Sequence, residues 1–335
     1  MNRSCNLNLS IMPDWWQAQL SLAPTANRTE MAGAFEQAFP GLLTFRQEAA
    51  PEPVPDPNHG YTMLRAMGAT VIRNAGGGYE VEPMSLDRFA GLEPPDYDNN
   101  PFVQKLREAI RETRRKHGSA FDGSYSGLLH PAMKLRGQEI FSDFYDHPEE
   151  VHRFAAVMGE TIRRHLLFLK EECGSLPYFV LGNCSNCMIS PAVYGTFFVR
   201  EESAISGLSE AVMGRRRAMG IHHCGTKVDA YIDAYAQIEE IEMIEASWDS
   251  DVALATRRIP GLLFKSMLDP VKLDALDEDA LAAHLREQFA CPATVEIQAF
   301  GISGAFTVKK MRCLLESALD CIRAPGMSGY TRLII

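Results

Sequence analysis

Val151, Phe154, Met158, Ile162, Leu166 and Leu169 recur at steps of three and four residues. That spacing predicts a helix with one apolar face, running to about Cys173. Ahead of it stands "YDHPEE", where Asp146 is placed to cap the helix, Pro148 to open its first turn and Glu149 to answer the cap. The period then changes. "YFVLGN" (178–183) is a short apolar run that reads as a buried strand, and 192–217 reads as helical. "GIHHCG" begins with a further apolar step, and "EMIEAS" (242–247), "GLLFKSM" (261–267) and "TVEIQAF" (294–300) read as strands. Helices are expected between them, near 226–238, 249–258 and 277–289. "ATVIRN" (69–74) reads as one more strand before the "GGG" turn at 76–78.

Strands alternating with helices imply a parallel sheet. The number of such units selects a closed (β/α)8 barrel, of the TIM type, over an open sheet. The expected organisation is a barrel catalytic domain over 61–335, preceded by an N-terminal extension or cap over 1–60. The boundary is set by the proline-rich "PEPVPDPNHG" (51–60), which fits neither a helix nor a central strand. Trp15, Trp16, Phe35 and Phe39 in that extension are candidates to cover the barrel mouth and shape an apolar pocket.

Composition narrows the function. The 335 residues are 46% hydrophobic and 23% charged, enough for a sizeable core. A formal net charge of -10 disfavours a phosphate-tracking surface, so no nucleic-acid partner is expected. The N-terminus lacks the apolar run of a secretory signal, and no window approaches the roughly 18 apolar residues of a membrane span, which places the protein in the cytoplasm. Charge clusters such as "REAIRETRRK" read as solvated helix faces. In a reducing compartment the eight scattered cysteines read as thiols or metal ligands rather than a disulfide framework. Cys173, Cys313 and Cys321, at helical positions, read as core or surface thiols.

In such barrels, residues just after each strand meet the substrate. Asn183 to Cys187, His222 to Cys224, Glu245 to Asp249, Asp269 and Gly301 hold those places. "NCSNC" offers Cys184 and Cys187 with the C-x2-C spacing common in zinc sites. Asn183 and Glu245 are the candidate catalytic polar groups. His223, alternating with His222 and Cys224, points away from them, into a helix layer or a hydrogen bond beside the site. Asp269 is placed to cap the next helix.

In order, "GLLHPAMKLRGQEIFSDFYDHPEEVHRFAAVMGETI", "LGNCSNCMISPAVYGTF", "IHHCG", "SWDSDVALATRRIPG" and "SMLDPVKL" resemble segments of the uroporphyrinogen decarboxylase superfamily. Besides tetrapyrrole decarboxylases, this superfamily includes zinc-dependent methyltransferases that move methyl groups between corrinoid proteins and thiols. "TFRQEAA" keeps only Arg46 and Gln47 of the decarboxylase's arginine-rich motif. "HHCG" fits the H-x-C of the methyltransferases. The resemblance therefore implies Zn2+ held by His222 and Cys224, a small-molecule substrate, and a corrinoid on a partner protein. The branch's late cysteine is replaced near Gly301 and Ile302, so Cys184, Cys187 or Glu245 must complete the metal shell. Iron fits the same donors. The competing expectations are a metal-free lyase using Arg46 or Arg136, and a non-catalytic binding relative.

Overall fold

The computed structural model describes residues 3–43, 54–120, 126–174, 176, 178–291 and 293–334. Among these lie nine strands: β1 (Arg3–Ile11), β2 (Val71–Arg73), β3 (Tyr79–Val81), β4 (Phe179–Gly182), β5 (Met219–His223), β6 (Ile241–Ser247), β7 (Leu263–Leu268), β8 (Thr294–Ile302) and β9 (Met327–Ile334). The chain divides into two units. The first comprises Met1–Glu48, Thr226–Ile232 and Met243–Ile335; the second comprises Ala49–Gly225 and Asp233–Glu242.

In the first unit β6, β7, β8, β1 and β9 pair in that order, all parallel. β1 is therefore an interior strand, with Leu7 opposite Ile297 on one side and Thr331 on the other. Its Cys5, Leu7 and Leu9 are essentially unexposed. Helices Glu278–Ala290 and Val308–Ile322 pack together, burying Leu281 and Leu285 on one and Met311, Leu314 and Leu315 on the other.

Two expectations change here. Residues 3–11 are part of the sheet, not of an extension: Cys5, Leu7 and Leu9 of "RSCNLNLSI" are buried in its core. The intervening Asn6 and Asn8, of low strand propensity, disguise this. The aromatic residues expected over a barrel mouth are instead core. Trp15, Trp16, Phe35 and Phe39 have ring centroids 4.6–6.5 Å apart, and Trp15 Nε1 donates to the Phe306 carbonyl. None of the four is more than 3% exposed.

In the second unit β4 and β5 pair in parallel, and Ser126 bridges to Gly182 in the same sense. Helix Pro148–Cys173 buries all six residues of the predicted face. Its cap is His147, with no side-chain bond, because Asp146 closes the preceding helix Ile140–Asp146. The expected helix over 192–217 is broken into Pro191–Phe197, Val199–Ser206 and Ser209–Met213. The strand near 69–74 forms an antiparallel hairpin of β2 and β3, outside the parallel sheet.

The fold is thus α/β with parallel strands. The pairings within each unit, among the described residues, do not form a closed barrel. No helix of the described residues is long and apolar enough to cross a membrane.

Candidate metal centre

Parallel register builds the site within the second unit. Gly182 at the end of β4 pairs with His222 near the end of β5, and the Asn183 N–H donates to the His222 carbonyl at 2.8 Å. The chain then turns into the short 3-10 helix Cys184–Met188, which sets Cys184 beside the end of β5. On β5, His222 and the following Cys224 lie two residues apart and so share a side. As a result the donor atoms of Cys184, His222 and Cys224 all lie within 4.8 Å of one another, each residue half-buried. Gly225 follows at φ +93°, so the chain can turn away at once after the last donor.

His223 takes the opposite side. It is fully buried, with Nδ1 2.7 Å from the Tyr235 hydroxyl. Burial, helped by the nearby His222, lowers its pKa to about 4 and keeps it neutral. A hydrogen bond with His222 holds the Cys184 thiol below its ordinary range, against the effect of burial. Burial and the bond to Cys184 push Cys224 up to about 12. Cys184 is thus the more readily ionised of the two sulfurs, and a metal ion displaces the thiol protons on binding.

Two thiolates and an imidazole are a zinc donor set. On a tetrahedral ion with Zn–S of about 2.3 Å and Zn–N of about 2.1 Å, such donors stand roughly 3.5–3.8 Å apart. The observed spacing needs only small side-chain adjustments to reach this, so the residues fit the ion. Three protein donors also leave one position open.

The remaining candidates stand elsewhere. Cys187 is exposed, with Sγ donating to the Cys184 carbonyl at 3.2 Å, and is not among the three donors. Glu245 lies on β6 in the first unit, opposite Lys265 in the β6–β7 register. Asn183 is 1% exposed, and its amide turns inward to donate to Glu202 at 2.9 Å. Asp269 caps helix Pro270–Ala275, as expected. Arg136, the cation of the lyase alternative, is engaged by Asp143 at 2.7 Å and by the Met84 carbonyl. Arg46 and Gln47 lie outside the described residues.

A buried network behind the donors is not legible in the sequence. The Glu202 carboxylate accepts from Asn183 and, at 2.6 Å, from the Tyr194 hydroxyl, and Tyr194 packs edge-on against Tyr235, the partner of His223. Both donor-bearing segments are thereby tied to one buried acid. Nothing in "VREESAIS" separates Glu202 from its exposed-looking neighbours except its place on the buried side of helix Val199–Ser206.

Burial raises the Glu202 pKa to about 7, against the pull of its hydrogen bonds with Tyr194, Asn183 and the Leu128 backbone. The folded state therefore keeps a proton that the unfolded chain gives up at ordinary glutamate pH. Stability falls as pH rises from about 4.5 towards 7, by on the order of 2–3 kcal/mol. Glu202→Gln is expected to flatten that part of the pH–stability curve in denaturant titrations. Parallel curves for the two proteins would refute the assignment.

Comparison with known proteins places the chain. The uroporphyrinogen decarboxylase family model matches residues 58–316. The chain belongs to the uroporphyrinogen decarboxylase family. Among solved structures it is similar to a methyltransferase from Methanosarcina mazei, with a TM-score of 0.56 at 14% identity over 95% of this chain and 93% of that one. It also resembles, at a TM-score of 0.48 and 13% identity, a Listeria monocytogenes protein provisionally assigned as a vitamin-B12-independent methionine synthase, covering 95% and 96% of the two chains. The former likeness shows a shared fold. No curated protein sequence matches.

Proposed function

We propose that the protein is a zinc-dependent methyltransferase, moving a methyl group between a methylated substrate or corrinoid and a thiol or corrinoid acceptor. The observation that carries this reading is the convergence of Cys184, His222 and Cys224 on one point after two adjacent parallel strands. Family membership supports it, as does the likeness to the Methanosarcina methyltransferase. In this reading the strands are those of a (β/α)8 barrel, and the protein works in the cytoplasm, where thiols stay reduced.

Bound zinc would hold an acceptor thiol as its thiolate at neutral pH, the form that is nucleophilic. Cys184, Cys224 and His222 supply the holding atoms. Asn183, Glu202 and His223 fix the segments that carry them, limiting the motion of the donors. With the ion so held, the thiolate lone pair would form the new S–C bond as the methyl group's bond to its donor breaks, that bonding pair leaving with the donor. A corrinoid donor or acceptor would be presented by a partner protein.

The test uses free methylcobalamin and 2-mercaptoethanol, with loss of the methyl–cobalt absorbance as readout. Zinc-loaded protein is expected to turn over, and His222→Ala to be slower by more than about 100-fold. Equal rates in the zinc-loaded and chelator-treated proteins would overturn the proposal. Carbon dioxide release from a carboxylated pyrrole, insensitive to chelator, would favour the lyase alternative.

A further inference from the structure

A cavity of about 270 Å³ opens in the second unit next to the segment that carries Cys184, lined by His59, Tyr61, Met63, Ser126, His130 and Lys134 among others. Two contacts tie it to that segment. Ser126 bridges to Gly182, and His130 Nδ1 lies 3.1 Å from the hydroxyl of Ser185, the residue after Cys184.

Among the described residues that line this cavity, Lys134 is the cation and none is acidic. Among the described residues the Lys134 ammonium meets only tyrosine: its Nζ is 3.5 Å from the Tyr61 hydroxyl and 5.3 Å from the centre of that ring. The Tyr61 hydroxyl donates its own proton to the Tyr79 carbonyl at 2.9 Å, leaving its lone pairs for Lys134. Asp56, close in sequence, is already engaged by the Asn58 and Gly60 N–H groups and the Thr62 hydroxyl at 2.7–2.9 Å. Burial and the Lys134 charge lower the His130 pKa, so that ring stays neutral and adds a polar contact, not a second charge.

A half-buried ammonium without a carboxylate partner favours an incoming anion. His130 and Lys134 stand one turn apart on helix Leu129–Arg136, hence on one face. An anionic group at Lys134 would therefore lie one helical turn from His130, whose ring meets Ser185 beside Cys184. At about 30 Å³ per water the cavity holds roughly nine waters' worth of volume, suited to a ligand of about ten non-hydrogen atoms.

We propose that this cavity is the subsite for the substrate's anionic end: a small carboxylate or sulfonate held by Lys134, with its reacting end towards Cys184. The assignment of a reacting end rests on the function proposed above; the anion subsite itself does not need the metal.

The experiment measures binding of benzoate and of benzyl alcohol by calorimetry or saturation-transfer NMR. The proteins are the full-length wild type, Lys134→Met, Lys134→Arg and His222→Ala, with thermal unfolding as a check of fold. Benzoate is expected to bind wild type and Lys134→Arg alike, and Lys134→Met about tenfold more weakly. Benzyl alcohol should not distinguish the variants. His222→Ala should bind benzoate as wild type does, so a protein that holds no zinc still reports on the subsite. Benzoate binding no tighter than benzyl alcohol, or undiminished in a folded Lys134→Met, would overturn the proposal. Lys134-dependent benzoate binding in a wild-type protein that itself takes up no zinc would leave the subsite standing and remove the metal reading.

Discussion

Cys184→Ser, Cys224→Ser and His222→Ala are each expected to reduce bound zinc from about one ion per chain to a small fraction, while Cys187→Ser keeps it. The first three remove a donor from a cluster whose atoms already stand within 4.8 Å of one another. Two remaining donors hold zinc weakly, and loss of even an outer hydrogen-bond partner commonly costs about 10–100-fold in affinity. Cys187 shares the C-x2-C spacing, but its exposed thiol is directed at a backbone carbonyl. Zinc content after purification without added metal, with each variant's fold checked by circular dichroism, decides the matter. Full zinc in Cys184→Ser together with loss in Cys187→Ser would reverse the assignment.

Gly127→Ala should be the most disruptive single-methyl substitution near the site. A Cβ at Gly127 falls 1.7 Å from Asn183 Oδ1 and 3.2 Å from the Gly182 carbonyl. The Asn183 side chain cannot swing away freely, since it is buried and bonded to Glu202, and the Gly127 N–H itself donates to Gly182. Either the strand end or the Asn183–Glu202 bond must give, at a cost of about 1–3 kcal/mol or more. The displaced segment is the one that carries Cys184, so zinc affinity should fall with stability. Gly33→Ala is the control. It sits inside helix Arg28–Ala38 with open space around the added methyl, and should stabilise by about 0.5–1 kcal/mol. Denaturant midpoints for both variants test this; a Gly127→Ala protein as stable as wild type would show that the close approach is relaxed in solution.

Apolar periodicity made β4, β6, β7 and β8 legible to within a few residues, and with them the long helix Pro148–Cys173. Alternation placed His222 and Cys224 on one side and His223 on the other, as the fold does. β1 escaped because asparagines occupy its polar positions, and β9, "MSGYTRLI", because glycine and charge interrupt its pattern. The caps were misjudged at Asp146 because two helices abut there, and a local start signature cannot tell which helix owns the residue. Which cysteine of "NCSNC" joins the donors was not decidable from spacing, since the 3-10 turn separates their directions. Glu202 and Lys134 were invisible for a different reason. Their surroundings, a buried tyrosine in one case and a cavity in the other, are set by residues distant in sequence.

The central claim is a metal held by Cys184, Cys224 and His222 with one position free for a thiol. X-ray absorption at the zinc edge, on protein before and after addition of 2-mercaptoethanol, tests it most directly. The account predicts a shell of two sulfurs and two lighter atoms at rest, with one lighter atom replaced by a third sulfur when the thiol is added. A shell that does not change with the thiol, or a third sulfur at rest that disappears in Cys187→Ser, would contradict it.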